Sequence, residues 1–260
     1  MFFKGAHCQY AKNQLADVIC QLRFPQILSI NTNLPVDFQE AIREHYPKFS
    51  TSVETPAPKI SGTPGNLQLE NQPSTKNYQF TSLDGNWRVN LTSTFVSLAC
   101  NQYSGWEEFA RKLDIPLAAF IKIYKPACFE RIGLRYLNFI SREALDLQSI
   151  PFNQLFTAPY LGLLSDPEVA EAAAHRNGVD ADISLPGGCR AKLHAGPGLV
   201  TRNGQQQKEV KFIFDQDLYM TGNIPVNYSA GALETLHSHA FPIFRGAITD
   251  TLHEALEPTV

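Results

Sequence analysis

The side chains with the most chemistry to offer lie on one short stretch, Arg131-Ile-Gly-Leu-Arg-Tyr-Leu-Asn138. Read as a strand, its alternation places Arg131, Gly133 and Arg135 on one face, and Ile132, Leu134, Tyr136 and Ile140 on the other. Two guanidinium groups on one face, with a glycine between them leaving space, can clamp a carboxylate or phosphate through paired hydrogen bonds. Asn138 and Tyr136 stand nearby as further polar contacts. The competing arrangement is structural: Asp215 and Asp217 alternate in the same way on a later strand and would answer the two arginines across one sheet. Cross-strand charge pairs are the commoner of the two, and the readings exclude each other only in part. Arg131, Arg135, Asn138, Asp215 and Asp217 therefore form the candidate ligand-binding set.

Other chemistry is thinner. Taken alone, Asp215 and Asp217 would suit a cation, or acid/base work by two carboxylates whose pKa values are pushed apart. No further Asp, Glu or His is placed to complete a ligand set, so no metal is expected. His237 and His239 form a His-x-His pair, which on a strand would begin a zinc site. On a helix, that spacing turns the two rings about 200° apart. His253 falls more than about 20 Å further along by helical rise, so these histidines are expected at the surface or in caps. Gly-x-Ser-x-Gly is absent, and no cysteine has a motif-spaced histidine; Cys8 beside His7 belongs to a terminus expected to fray. Leu185-Pro-Gly-Gly-Cys189 and Ala195-Gly-Pro-Gly198 contain proline and lead into strands, so they read as tight turns rather than phosphate loops. No catalytic residue and no cofactor is assigned.

The elements that must position these residues follow from period and punctuation. Val18–Phe24 is a β-rich run stopped by Pro25, and residues 35–46 place Phe38, Ile42 and Tyr46 at helical spacing behind a proline. Residues 49–76, rich in Pro, Ser, Thr, Asn and Gly, predict a ragged edge strand and a mobile loop. Tyr78–Leu83 and a long strand Trp87–Cys100 form a hairpin through Asp84-Gly85. Ser104 with Glu107 reads as a capping box opening a helix to about Tyr124, kinked at Pro116. The order then repeats: a strand over Phe129–Ile140, a helix over Pro151–Leu164, β-prone segments from Val179 to Tyr219, and a closing helix over Ala230–Leu256. The expected fold is α+β: two similar halves, 1–125 and 126–260, each running strand, helix, antiparallel strands, long helix. Each long helix would cross a curved antiparallel sheet, a helix-grip-like internal duplication.

Composition bounds the function. A chain of 260 residues, 43% hydrophobic and 18% charged, has ample material for a core. Its net charge of −3 supplies no general field for nucleic acid or acidic membrane. Arg111, Lys112, Lys122 and Lys125 are offset by Glu107, Glu108 and Asp114 and read as a solvated helix face. Five cysteines spread evenly with no Cys-x-x-Cys suit reduced thiols. The first residues lack the apolar run of a signal peptide, and nothing reaches the length of a membrane span; cytoplasmic placement is expected. Aromatic content of 11% fits a ring-lined cavity or a partner surface, with ordinary packing the more usual explanation.

Several phrases together resemble a sporadically distributed family of uncharacterised bacterial proteins of about this length. They are Leu22-Arg-Phe-Pro25, Phe38-Gln-Glu with Ile42-Arg43, Tyr103 with Trp106-Glu107 and Phe109, Arg131 to Asn138, Asp215-Gln-Asp217, and Leu236-His237 with Ile248-Thr-Asp250. The resemblance covers nearly the whole chain, and Arg131 to Asn138 is its most specific piece. It implies a stand-alone intracellular protein of patchy occurrence, the habit of accessory genes in mobile or defence-linked clusters, and carries over no catalytic residue. The expected function is a non-enzymatic binding or accessory protein, recognising a protein partner, a second copy or a small anionic ligand, without nucleic acid or membrane. The alternative is a hydrolase or transferase with a dispersed active site around Arg135, Asp215 and Asp217.

Overall fold

The computed structural model describes residues 2–54, 59–63, 66–70, 74–202 and 204–259. In chain order these form β1 (Gln9–Tyr10), β2 (Leu15–Arg23), α1 (Leu28–Thr32), α2 (Val36–Ile42), β3 (Lys48–Glu54), β4 (Lys59–Thr63), β5 (Asn66–Glu70), β6 (Thr75–Thr81), β7 (Trp87–Leu91), β8 (Phe95–Cys100) and α3 (Trp106–Tyr124). There follow β9 (Phe129–Ile140), α4 (Phe152–Leu155), β10 (Val179–Leu185), β11 (Cys189–Arg202), β12 (Gln205–Ile224), α5 (Ser229–Ala247), α6 (Asp250–Ala255) and β13 (Pro258–Thr259). The fold is α+β with antiparallel sheets. Nine strands form one sheet in the order β10-β11-β12-β9-β2-β8-β7-β6-β3, while β1 pairs with β13 and β4 with β5. No helix is long and apolar enough to cross a membrane, among the described residues.

Period-two alternation divides the central strands into two faces. Val18, Cys20 and Leu22 of β2, Ile132, Leu134 and Tyr136 of β9, and Phe212, Phe214 and Leu218 of β12 are buried against helices. The long helices α3 and α5 lie on this inner face, α3 against β8 and α5 against β9 and β12. Ring packing fixes them: Phe24 meets Phe120 at 4.5 Å, Trp87 meets Phe109 at 5.9 Å, and Phe214 meets Phe244 at 5.8 Å. A single apolar cluster runs from Val18 to Leu256 beneath both helices. The outer face is polar; Ser50, Gln79, Asn90 and Ser97 hydrogen-bond in a row across four adjacent strands.

Several elements depart from the sequence reading. The long strand expected over Trp87–Cys100 is a hairpin, β7 and β8, because the buried Thr92 hydroxyl accepts hydrogen bonds from the Thr94 and Phe95 amides and turns the chain without glycine or proline. Gly105, not Ser104, stands at the cap of α3, and the Ser104 hydroxyl instead bonds the Glu108 carboxylate. The helix expected over Pro151–Leu164 shrinks to the four residues of α4 followed by short 3-10 turns. The closing helix is broken at Ile248, which takes an extended conformation and bridges to Phe156. The expected helix over 35–46 ends at Ile42. β3 is an edge strand, and where a mobile loop is expected the chain forms the β4–β5 hairpin; residues 55–58, 64–65 and 71–73 of that stretch lie outside the described residues.

Candidate functional site

The residues singled out in the sequence fall on opposite faces of the sheet. Arg131 and Arg135 lie on the outer face, where both guanidinium groups are engaged. Arg131 donates to both oxygens of Asp217 at 2.6 and 2.7 Å, and Arg135 to both oxygens of Asp215 at 2.7 and 2.5 Å. Each bond is diagonal: Arg131 is registered opposite Thr221 and Asp215 opposite Leu137. Gly133 makes the longer diagonal feasible, since a Cβ there would overlap the Arg131 guanidinium. Arg131 also lies 4.8 Å over the Tyr219 ring, whose hydroxyl donates to Asp182. The space expected beside Gly133 is therefore filled by Arg131 itself.

Asn138 is elsewhere. It points to the inner face, 4% exposed, and its Nδ2 donates to the Phe214 carbonyl of the neighbouring strand at 3.3 Å. The five-residue candidate set does not converge on one site, and Tyr136, expected near the arginines, is also on the inner side. The reason is plain alternation: positions 136 and 138 are one pleat out of phase with 131 and 135.

Asn138 and Tyr136 are instead part of the floor of a cavity of about 350 Å³ beneath the start of α3 and the middle of α5. Gln216 of β12 completes this floor: it is registered directly across from Tyr136, as Phe214 is from Asn138. Gln216 is 1% exposed, and its Oε1 has no hydrogen-bond partner among the described residues. A buried carboxamide oxygen left without a donor is costly and rare. Trp106, Tyr103, Phe241 and Phe244 supply aromatic walls. The indole of Trp106 stacks on His237 at 4.4 Å and lies near-parallel to Phe109 at 6.1 Å, while its Nε1 donates to Glu234 at 2.8 Å.

Electrostatically the cavity is close to neutral. Among the described residues its lining carries no lysine or arginine, and Glu107 is its one carboxylate. His237 is held below its ordinary pKa, first by burial and then by His7, which favours the uncharged imidazole. Its Nδ1 lies 2.9 Å from the Tyr136 hydroxyl, and burial holds that hydroxyl protonated far above the usual phenol range. An uncharged imidazole accepting from a protonated phenol is the arrangement that satisfies both groups. Tyr103 meets Tyr136 edge-on at 5.9 Å, and its own pKa is pushed up to about 12, chiefly by burial.

The N-terminal residues close the outer side. Gln9–Tyr10 pair with Pro258–Thr259, the Tyr10 hydroxyl is 2.9 Å from His253 Nδ1, and His7 packs on Phe241 at 4.4 Å. His7 and Cys8, expected in a frayed terminus, thus line the cavity. His237, expected at the surface or in a cap, is half-buried within it.

Gln216 and His237 were the residues whose roles were missed. For Gln216 a signal existed. It occupies an inward position between Phe214 and Leu218, where the alternation of Phe212 to Leu218 calls for an apolar side chain. A polar residue in such a place needs a partner. Nothing comparable marked His237, whose importance comes from Trp106 reaching it across the fold. No three His, Cys, Asp or Glu side chains cluster as a metal site would require, among the described residues. All five cysteines are unpaired. Comparison with protein-family models finds no match, and comparison with curated proteins finds none either.

Proposed function

We propose that this chain is a non-enzymatic binding protein whose ligand enters the cavity between α3 and α5. The carrying observation is Gln216: a carboxamide 1% exposed, its Oε1 unpartnered, set in the floor of an aromatic-walled cavity of about 350 Å³. Ligand pockets commonly combine apolar and aromatic walls with a few convergent polar groups, and this volume lies at the small end of their range. The outer-face arginines support an anionic ligand poorly, because each already holds an aspartate. The same ion pairs weaken the case for a dispersed active site around Arg135, Asp215 and Asp217.

The helix-grip-like duplication belongs to this proposal. To one side of the central β2–β9 pair the strands run β8, β7, β6, and to the other β12, β11, β10. Each set is followed in sequence by a long helix on the same face, and the cavity forms where those helices, α3 and α5, meet. Cytoplasmic residence is part of the same reading, supported by five unpaired thiols. So is an accessory role in a mobile or defence-linked bacterial gene cluster, with or without a protein partner, which rests on the sequence resemblance.

A ligand-observed NMR screen of neutral aromatic fragments tests the site. Hits on the native protein should vanish with Ala240→Phe, which adds a ring to an α5 position lining the cavity. Equal hits on a folded Ala240→Phe protein, or none on either, would defeat the proposal.

A further inference from the structure

Resting on the cavity as a binding site, the chemistry of its floor narrows what the ligand is. Gln216 lines the floor with a carboxamide, which carries an acceptor and a donor, and its buried Oε1 is without a donor among the described residues. Exchanging the oxygen and nitrogen of that amide changes which atom is which, not the pairing it offers. Asn138 commits its Nδ2 to the Phe214 carbonyl at 3.3 Å, leaving its carbonyl oxygen as a second acceptor on the same floor. The Tyr136 hydroxyl is already engaged with His237 at 2.9 Å.

The group that best answers a carboxamide is its own complement, an N–H and a C=O held side by side on one edge. The surroundings set the rest. Trp106, Tyr103, Phe241 and Phe244 wall the cavity, and a flat ring gains most contact against aromatic faces and edges. An anion would meet Glu107 and two amide oxygens with no lysine or arginine in the lining to compensate.

We infer that the cavity takes an uncharged, planar heterocycle carrying a carboxamide or lactam edge, read by Gln216 with Asn138. Two sources share that chemistry, a nucleobase lactam and a pyridine carboxamide, and the test separates them. Uracil is compared with 1,3-dimethyluracil, whose N–H groups are blocked, and nicotinamide with nicotinate, in which the amide becomes a carboxylate. Titration calorimetry on the full chain should show uracil or nicotinamide binding at least about tenfold more tightly than its blocked or charged counterpart. A site built to pair with a polar group rejects an analogue that leaves its own polar groups unpaired by at least that factor. Whichever of the two binds identifies the source.

Gln216→Leu should abolish that preference. Its melting temperature should be equal or higher, because the change removes a buried oxygen that has no protein partner. Equal binding of blocked and unblocked analogues to the native protein overturns the inference without needing any variant, as does unaltered discrimination in Gln216→Leu. Fragments that bind in an Ala240→Phe-sensitive way while both edge-bearing probes fail would sink this ligand class and leave the cavity standing as a site. Loss of all cavity-dependent binding would instead defeat the underlying proposal.

Discussion

Arg135 shows how much a single residue's pattern can and cannot say. Its spacing from Arg131, and the matching spacing of Asp215 and Asp217, make a cross-sheet ion pair legible in the sequence. The phase is legible as well: the alternation that puts Tyr136 on the face opposite the arginines carries Asn138 with it, so grouping Asn138 and Tyr136 with the arginines joins residues that never meet. The two faces now make separable predictions. The Arg135 side chain is 44% exposed and Asp215 17%, so solvent screens much of the pair, and such pairs contribute about 0.2–1 kcal/mol. Arg135→Ala should lower stability in urea by no more than about 1 kcal/mol and leave cavity binding unchanged. A loss of binding would place the ligand on the wrong face. His237 makes the second prediction. Its pKa is lowered from 6.5 by burial and by His7, with Glu234 and Glu107 opposing, while Tyr136 and Trp106 face it as neutral partners. A base whose pKa falls on folding binds protons better in the unfolded chain. The stability it supports is therefore complete above pH 6.5 and lost as the pH falls below that value. The melting temperature should drop more steeply below that pH in the native protein than in His237→Gln, and parallel profiles would show that His237 is not the group responsible.

At the scale of elements, regular pieces with strong period were readable and their interruptions were not. β9 spans Phe129–Ile140, the range its alternation marked out. The break at Ile248 was hidden because apolar spacing continues from Leu233 to Leu252 as though one helix ran through. Tertiary contact decides it: Ile248 bridges to Phe156, and the Thr249 hydroxyl donates to the Gln154 carbonyl at 2.8 Å. Thr249 followed by Asp250 was itself a helix-start signal, overshadowed by the surrounding periodicity. The turn at Thr92 was hidden for a related reason, since its hydroxyl does work usually left to glycine or asparagine. Thr249 both caps α6 and ties it to α4. Thr249→Ala should cost about 0.5–2 kcal/mol, the usual range for loss of such a cap, with Thr249→Ser retaining most of it. Urea midpoints at constant m-value would measure this, and an unchanged midpoint in Thr249→Ala would mean that the Phe156–Ile248 bridge alone sets the break.

For the whole molecule, individual strands and helices could be read from local sequence, but the way residues 1–125 join residues 126–260 could not. That join is β2 against β9, with Val18 opposite Tyr136 and Leu22 opposite Ile132. It is a long-range pairing that no local pattern encodes, because many β-prone runs are equally suited to adjacency. Its consequence is mechanical. The sheet passes without interruption across the boundary between residues 125 and 126, and one apolar cluster lies under both long helices. Trp106 of α3 stacks on His237 of α5, so the cavity exists only while both sides are folded. Unfolding should then be one cooperative transition. Both tryptophans, Trp87 at 6% exposure and Trp106 at 9%, belong to residues 1–125 and report that side by fluorescence, whereas far-ultraviolet circular dichroism reports strands and helices of both. In urea the two signals should share one midpoint and one m-value. If fluorescence were lost at a different denaturant concentration, the halves would be unfolding independently; the central pair would then be a contact between two self-sufficient units, and the cavity would open before either of them melts.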